Sequence, residues 1–173
     1  NGITLLSKND YTYYLDRLVA TQNNTQYNRQ GGSRVLQQDW SYNDFGDLLK
    51  YTDAAIYTTD YQYDSTFHLV KSITKTANDS GLNMNIYNDI NPSNGNINYT
   101  KQQHIVNGVN ESITTTYTYD SYGNITDETT TQSGEKTIRT HYDYDTQYKN
   151  AYLTKKTSTV KDYKGVSKNV IES

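Results

Sequence analysis

Acid–base catalysis needs two carboxylates, or an imidazole and a carboxylate, within reach of one substrate atom. The sequence offers Asp143 with Asp145 and Asp120 with Glu128, and three imidazoles, His68, His104 and His141. Asp143 and Asp145 share a face of an extended chain, but every one of these carboxylates stands in a strand or turn pattern that recurs elsewhere. Turn geometry accounts for them, and no enzyme is expected. The histidines are far apart and lack ligand spacing; His141 alternates with Arg139 and Asp143, which predicts a surface His–Asp pair. Asp89-Ile90-Asn91-Pro92-Ser93-Asn94-Gly95 has the outline of a calcium loop. Its Gly comes one position late and Thr100 stands where the closing Glu belongs, so a long turn is expected, with no metal and no cofactor. The chain has no Cys, which excludes thiol nucleophiles, disulfides and thiolate metal sites. The remaining binding chemistry is aromatic: rows of exposed Tyr could stack on the C–H faces of sugar rings.

The elements that position these residues follow from an unusual composition. The 173 residues contain 19 Tyr against 2 Phe, 1 Trp, 1 Met and 1 Pro. Long Leu/Ala stripes for a helical bundle are missing, while aromatics and β-branched residues are too abundant for a disordered chain. Tyr and Thr suit half-wet strands, so the expected class is all-β, held by ring stacking and hydrogen bonds more than by aliphatic packing. A net charge of −3 and a pI near 5.5 argue against nucleic acid as partner. Lys155, Lys156, Lys161, Lys164 and Lys168 lie along strand-like sequence and read as a solvated, edge-protecting face. No apolar run approaches the ~20 residues of a membrane helix, so no membrane insertion is expected. The opening Asn1-Gly2-Ile3-Thr4 has no signal-peptide character, as expected for a piece of something longer. The sequons at Asn23, Asn78, Asn98, Asn110 and Asn124 are what chance gives in so Asn/Thr-rich a chain.

One stretch organises the rest. Thr116-Tyr117-Thr118-Tyr119-Asp120-Ser121-Tyr122-Gly123-Asn124-Ile125-Thr126 reads as strand, tight turn and return strand. Setting Tyr42 on Tyr119 aligns Trp40 with Tyr117, Asn43 with Asp120, Gly46 with Gly123 and Asp47 with Asn124. Tyr63 and Tyr144 give two more copies, with Tyr61 and Tyr142 two residues before and Asp64 and Asp145 one after. The shared faces are Leu36/Gln38/Trp40/Tyr42, Tyr57/Thr59/Tyr61/Tyr63, Ile113/Thr115/Tyr117/Tyr119 and Ile138/Thr140/Tyr142/Tyr144. A degenerate unit around Tyr87 and Gly95 carries a stretched loop. Four residues after the anchor Tyr, two units have Gly (Gly46, Gly123) and predict tight turns; two have Phe67 or Tyr148 and predict wider turns capped by the ring. Asn78–Gly81, Asn107–Asn110, Gln132–Glu135 and Lys161–Gly165 mark turns between units. The units run over about 35–55, 56–80, 82–100, 109–132 and 135–160, in a single repeat region spanning 1–173. Residues 1–34 are degenerate or flanking, with a strand or short helix near Tyr11–Leu18 and a polar loop from Asn23 to Ser33. The architecture predicted is an antiparallel up-and-down meander of hairpins in one open sheet.

In register, Tyr117-Thr118-Tyr119-Asp120-Ser121-Tyr122-Gly123-Asn124-Ile125 resembles the YD repeat, also called the Rhs repeat. Trp40-Ser41-Tyr42-Asn43-Asp44-Phe45-Gly46-Asp47-Leu48 is a looser copy; Tyr61–Asp64 and Tyr142–Asp145 match its first half. The resemblance covers roughly residues 35–155. It implies a curved sheet forming part of a β-shell, as in bacterial polymorphic toxins, insecticidal toxin-complex shells, wall-associated proteins and teneurins. On that footing the chain is expected to be a structural segment of a secreted or cell-surface bacterial protein, forming wall that encloses or presents an effector. Its partners would be adjacent repeats and a C-terminal toxin domain of the same polypeptide. The alternative expectation is a carbohydrate or cell-surface adhesion module using the Tyr face. Asp120 and its equivalents, where strand meets turn, are expected to accept turn N–H groups.

Overall fold

The computed structural model describes residues 7–28, 32–53, 56–77, 83–106, 109–132, 137–161 and 166–172. Six of these stretches each hold one hairpin. The strands are β1 (Ser7–Tyr14), β2 (Leu18–Tyr27), β3 (Ser33–Tyr42), β4 (Leu48–Asp53), β5 (Tyr57–Tyr63), β6 (Val70–Ala77), β7 (Asn83–Ile90), β8 (Ile97–Val106), β9 (Val109–Tyr119), β10 (Ile125–Gln132), β11 (Thr137–Tyr144), β12 (Leu153–Lys161) and β13 (Ser167–Glu172). They are hydrogen-bonded in chain order in one open sheet, as an up-and-down meander requires. The one helical element among the described residues is a 3₁₀ turn, Thr146–Tyr148. No helix among them is long and apolar enough to cross a membrane. Two compact units divide the chain, one of residues 1–62 and 73–83, the other of 63–72 and 84–173.

No hydrophobic side chain among the described residues is buried. The two buried residues are Thr59 and Thr140, each four before an anchor Tyr. Thr140 Oγ1 lies 3.1 Å from Ser158 Oγ, and Thr115, in the same repeat position, lies 3.0 Å from Thr130 Oγ1. Gln38 takes that position in β3 and donates to Tyr51 Oη at 2.7 Å and Asp53 at 3.1 Å. What would be a core row in an aliphatic sheet is here a row of hydroxyl and amide contacts, flanked by rings such as Trp40 on Tyr51 (centroids 5.2 Å apart).

Three sequence expectations change. Asn23–Tyr27 is the end of strand β2 instead of a loop: its polar residues pair on both sides, and Asn24 donates to Asn9 at 2.7 Å. Composition misleads here because a sheet wet on both faces tolerates amides in mid-strand. Residues within 1–34 also hold a complete hairpin, β1–β2, closed by Arg17 N–H donating to Tyr14 O across Leu15 and Asp16, both at positive φ. Finally, the degenerate unit is out of register with Tyr87. Its turn opens at Asn91, so Ile90 holds the last-strand position. Tyr87 sits three residues earlier and packs instead against Tyr99, the rings tilted at 44° with centroids 5.9 Å apart. The turns expected at Asn78–Gly81, Ser133–Glu135 and Asp162–Gly165, and at Asn107-Gly108, lie outside the described residues.

The two turn classes are as the spacing predicts, with one difference. Gly46 and Gly123 sit at φ +88° and +90° in five-residue turns closed by Asn43 N–H to Asp47 O and Asp120 N–H to Asn124 O. The wider turns close from Asp64 to Leu69 and from Asp145 to Tyr152. Tyr148 caps its own turn by packing edge-on against Tyr152 at 5.7 Å. Phe67 instead lies over the neighbouring turn, where a Cβ on Gly95 would meet its ring at 3.2 Å. Around Gly123 a Cβ would meet nothing within 4 Å. Gly123→Ala should therefore cost only the positive-φ strain, about 1–2 kcal/mol. Gly95→Ala, at φ +77° and against a ring, should cost more. Urea midpoints of the two variants check this, and equal losses would contradict the Phe67 contact.

Candidate functional site

The repeated site is the joint between consecutive hairpins. Within each hairpin whose pairing is described, the ladder slips by one residue near the end of the first strand, directly before Tyr42, Tyr119 and Tyr144 and one residue earlier than that before Tyr14. The slips lie between Thr12 and Tyr13, between Ser41 and Tyr42, opposite Thr118–Tyr119, and between Asp143 and Tyr144. Each slip is a β-bulge that adds one residue to the return strand: Ala20, Leu49, Thr126 and Thr154. A bulge takes a residue out of the ladder and twists the strand locally. The carbonyl just before it is then available to the next hairpin. Tyr42 Oη donates to Val19 O at 2.9 Å, and Tyr144 Oη to Ile125 O at 2.9 Å. Tyr119 Oη donates in the same way to Ile97 O at 2.8 Å.

The three joints share one register. The residue two after the acceptor pairs with the residue three before the anchor: Thr21 with Asp39, Tyr99 with Thr116, Asp127 with His141. Ile90 has no hydroxyl, and there Asn88 donates from Nδ2 to Val70 O at 2.8 Å while accepting from Thr100 Oγ1 at 2.9 Å. Loss of hydration raises the pKa of Tyr119 and Tyr144, so both phenols stay protonated donors. Tyr142, beside the joint, donates to Glu128 at 3.1 Å; its burial, with the Glu128 bond and charge adding to it, pushes its pKa up to about 12.

The turn carboxylates act as the spacing predicts. Asp120 Oδ1 accepts from the N–H groups of Tyr122 and Asn124, both at 2.9 Å. Asp64 accepts from Thr66 and Phe67, Asn91 from Ser93, and Asp145 from Gln147. Asn43 and Asp47 exchange the acid and amide of Asp120 and Asn124, and the side-chain bond between them survives the exchange, at 2.9 Å against 3.0 Å. Asp120 also accepts from Asn150 of the following turn at 2.8 Å, while Asn150 O accepts from Asn124 Nδ2 at 3.0 Å. Asn150 holds this position with φ +58°. Loss of hydration would raise the Asp120 pKa; the bonds from Asn124, Asn150 and Tyr122 outweigh it and bring it down to about 2.

The residues proposed for chemistry are spent elsewhere. Asp120 belongs to its turn and Glu128 to Tyr142. Asp127 accepts from Arg139 at 2.8 and 3.0 Å and lies 3.0 Å from His141 Nδ1. Loss of hydration opposes ionisation of Asp127, but the Arg139 and His141 bonds prevail and lower its pKa. His141 Nε2 lies 3.3 Å from Asp143, so the surface His–Asp pairing involves two carboxylates. Asp89 accepts from Asn98 at 2.9 Å, and the stretch read against a calcium loop is a turn led by Asn91. Among the described residues no group of three His, Asp or Glu is arranged to hold a metal ion. The repeat tyrosines Tyr42, Tyr61, Tyr63, Tyr117, Tyr119, Tyr142 and Tyr144, with Trp40, are half-buried. Exposed rings stand at the turns, as Phe45, Phe67, Tyr122, Tyr148 and Tyr152, and on strands, as Tyr11, Tyr13, Tyr27 and Tyr87. Sequence reasoning missed Asn88 as a member of the joint and Tyr14 as the ring stacked on Tyr42. The one signal for them was an alternating strand ending just before a turn.

The meander has counterparts among solved structures. A crystal structure of TcdB2-TccC3-TEV matches 96% of the chain at a TM-score of 0.65 and 14% identity. One of TcdB2-TccC3-Cdc42 matches 95% at 0.60 and 13%. The chain shares their fold. It spans 9% and 10% of the length of those TcdB2-TccC3 chains. No family model and no curated protein matches the sequence.

Two measurements test the joint and the turn clamp. Tyr144→Phe and Tyr119→Phe keep the ring and remove one donor, so each should lose about 1 kcal/mol of stability; unchanged urea midpoints in both would mean the hydroxyl bonds contribute nothing. The Asp120 carboxyl, followed by NMR, should titrate near 2. Because its folded pKa lies below the model-compound 3.8, its stabilisation is complete above that value and is lost as pH falls through about 2. Asn150→Ala should move the midpoint upward, and a wild-type midpoint near 3.8 would show that the clamp does not form.

Proposed function

We propose that the chain is a stretch of wall in a larger β-shell of YD-repeat type, within a secreted or cell-surface bacterial protein of the Rhs or polymorphic-toxin kind. Its work is mechanical: hairpins joined in series enclose or present an effector carried by the same polypeptide. The observation that supports this best is the joint itself, because one hydroxyl-to-carbonyl bond in one register links hairpin to hairpin. With no buried aliphatics among the described residues, such a sheet gains its stability from neighbouring hairpins. The likeness to about a tenth of the TcdB2-TccC3 chains accords with a segment of something longer. On this reading the chain carries no catalysis, and Asp120, Asp127 and His141 serve geometry.

The test is limited proteolysis of the full-length polypeptide. The segment beyond the repeats should be protected while joined to an intact wall, and digested once Tyr119→Ala and Tyr144→Ala open it. Equal digestion in both would sink the containment reading. A second reading, surface adhesion through glycans, has one observation in its favour: Tyr122, Tyr148 and Tyr152 are 59%, 56% and 64% exposed at the turns. A glycan array should then respond to the chain and lose its signal in Tyr122→Ala and Tyr152→Ala; a blank array removes that reading.

A further inference from the structure

The turn between β11 and β12 carries two rings in contact at the surface. Tyr148 and Tyr152 meet edge to face, with centroids 5.7 Å apart and planes at 87°, and they are 56% and 64% exposed. Among the described residues neither hydroxyl has a hydrogen-bond partner. Three other tyrosine pairs in contact differ. Tyr14 with Tyr42, and Tyr51 with Tyr57, have centroids 5.9 Å apart but are half-buried. Tyr42 there donates to Val19 O, and Tyr51 Oη accepts from Gln38. Tyr87 and Tyr99 stand on the paired strands β7 and β8, which hold their backbones in place, and Tyr99 is half-buried. Between Tyr148 and Tyr152 lies Asn150, which donates to Asp120 and accepts from Asn124 of the turn before.

We propose that Tyr148 and Tyr152 form a site of oxidative cross-linking, coupled carbon to carbon as dityrosine by a haem peroxidase fed with hydrogen peroxide. Each phenol gives up one electron and one proton and becomes a tyrosyl radical. The radicals join through a ring carbon beside each hydroxyl, and the hydrogens on those carbons move to the oxygens, which restores both aromatic rings. In sum, two phenols and one hydrogen peroxide give one biphenol and two water molecules. A peroxidase is too large to enter the sheet, so it takes electrons from exposed phenols whose protons can pass to solvent. A radical on either ring of this pair already has its partner in contact and needs no second molecule. Both rings stand on turn residues outside the strand ladder, where each can swing about its side-chain bonds to bonding distance. The bond closes residues 148–152 into a ring around Asn150 and so fixes the residue that ties this turn to the Asp120 turn. The chain has no Cys, and tyrosine coupling is an oxidative cross-link its composition allows in place of a disulfide.

The test treats the full chain, in dilute solution, with a plant haem peroxidase and equimolar hydrogen peroxide. Dityrosine fluorescence should appear in the monomer, whose mass should fall by two hydrogens. Trypsin cuts the denatured product after Arg139, Lys149 and Lys155, so peptides 140–149 and 150–155 should stay joined, and the second holds Tyr152 as its one tyrosine. Tyr148→Phe and Tyr152→Phe keep a ring at each place but should each lose the joined peptides and most of the fluorescence. Tyr122→Phe, an exposed ring on another turn, should lose neither. The amides of Asn150 and Ala151, bonded to Asp145 O at 2.9 Å and Tyr148 O at 3.2 Å, should exchange about tenfold more slowly in the cross-linked chain. The absence of dityrosine from the monomer would overturn the proposal, as would a first cross-link mapped to another tyrosine pair or full fluorescence in Tyr148→Phe. So would a yield per chain that climbs with protein concentration, which marks coupling between molecules. Unchanged exchange at Asn150 and Ala151 would remove the bond's role in fixing the clamp.

Discussion

Everything in this sheet depends on a carbonyl that the ladder gives up. In the four hairpins whose pairing is described a β-bulge drops one residue from the return strand, and at Val19 and Ile125 the phenol of the next hairpin takes the carbonyl before it. A backbone acceptor left dry would cost free energy, and a hydroxyl is the one group that fits the end of an aromatic ring. This explains why the chain uses Tyr and almost no Phe. The ring supplies contact area and the hydroxyl supplies the joint. Where the hydroxyl is missing, at Ile90, an amide two residues earlier reaches Val70 O at the start of β6.

The turns lock the same joints from the end of the strands. Asp120 is ionised to low pH because it satisfies four donors, one of them from the next hairpin. Its carboxylate is therefore a structural hub with no lone pair set aside for a substrate. The Asp127–Arg139–His141–Asp143 row pairs charges across neighbouring strands in a similar way, on exposed surface where such pairs are worth little individually.

Strand alternation and glycine placement were legible in the sequence, because both are short-range: Tyr117/Tyr119 and Tyr142/Tyr144 announce one face, and Gly46 and Gly123 announce their turns. The repeat copies at Tyr14 and Ile90 were not. The turn after Tyr14 is Leu15-Asp16, without the Asx and Gly that mark the others, and Ile90 replaces the ring that the eye follows. Asn23–Tyr27 was misread because polar residues usually mean loop, whereas a sheet with no dry face accepts them. The joints themselves are pairwise contacts 19 to 23 residues apart, and no local pattern encodes which carbonyl a bulge will free.

The turns have a consequence for how such a protein can grow. They close over five residues at Asn43–Asp47 and over eight at Asp145–Tyr152, yet the register of the joints they flank is the same. Turn length and strand registry are thus uncoupled. Insertions at a turn tip leave the neighbouring seams untouched, and copying one hairpin in the gene lengthens the sheet by two strands with its own donor and acceptor already in place. Lineages can then diversify the rim while the weave stays fixed.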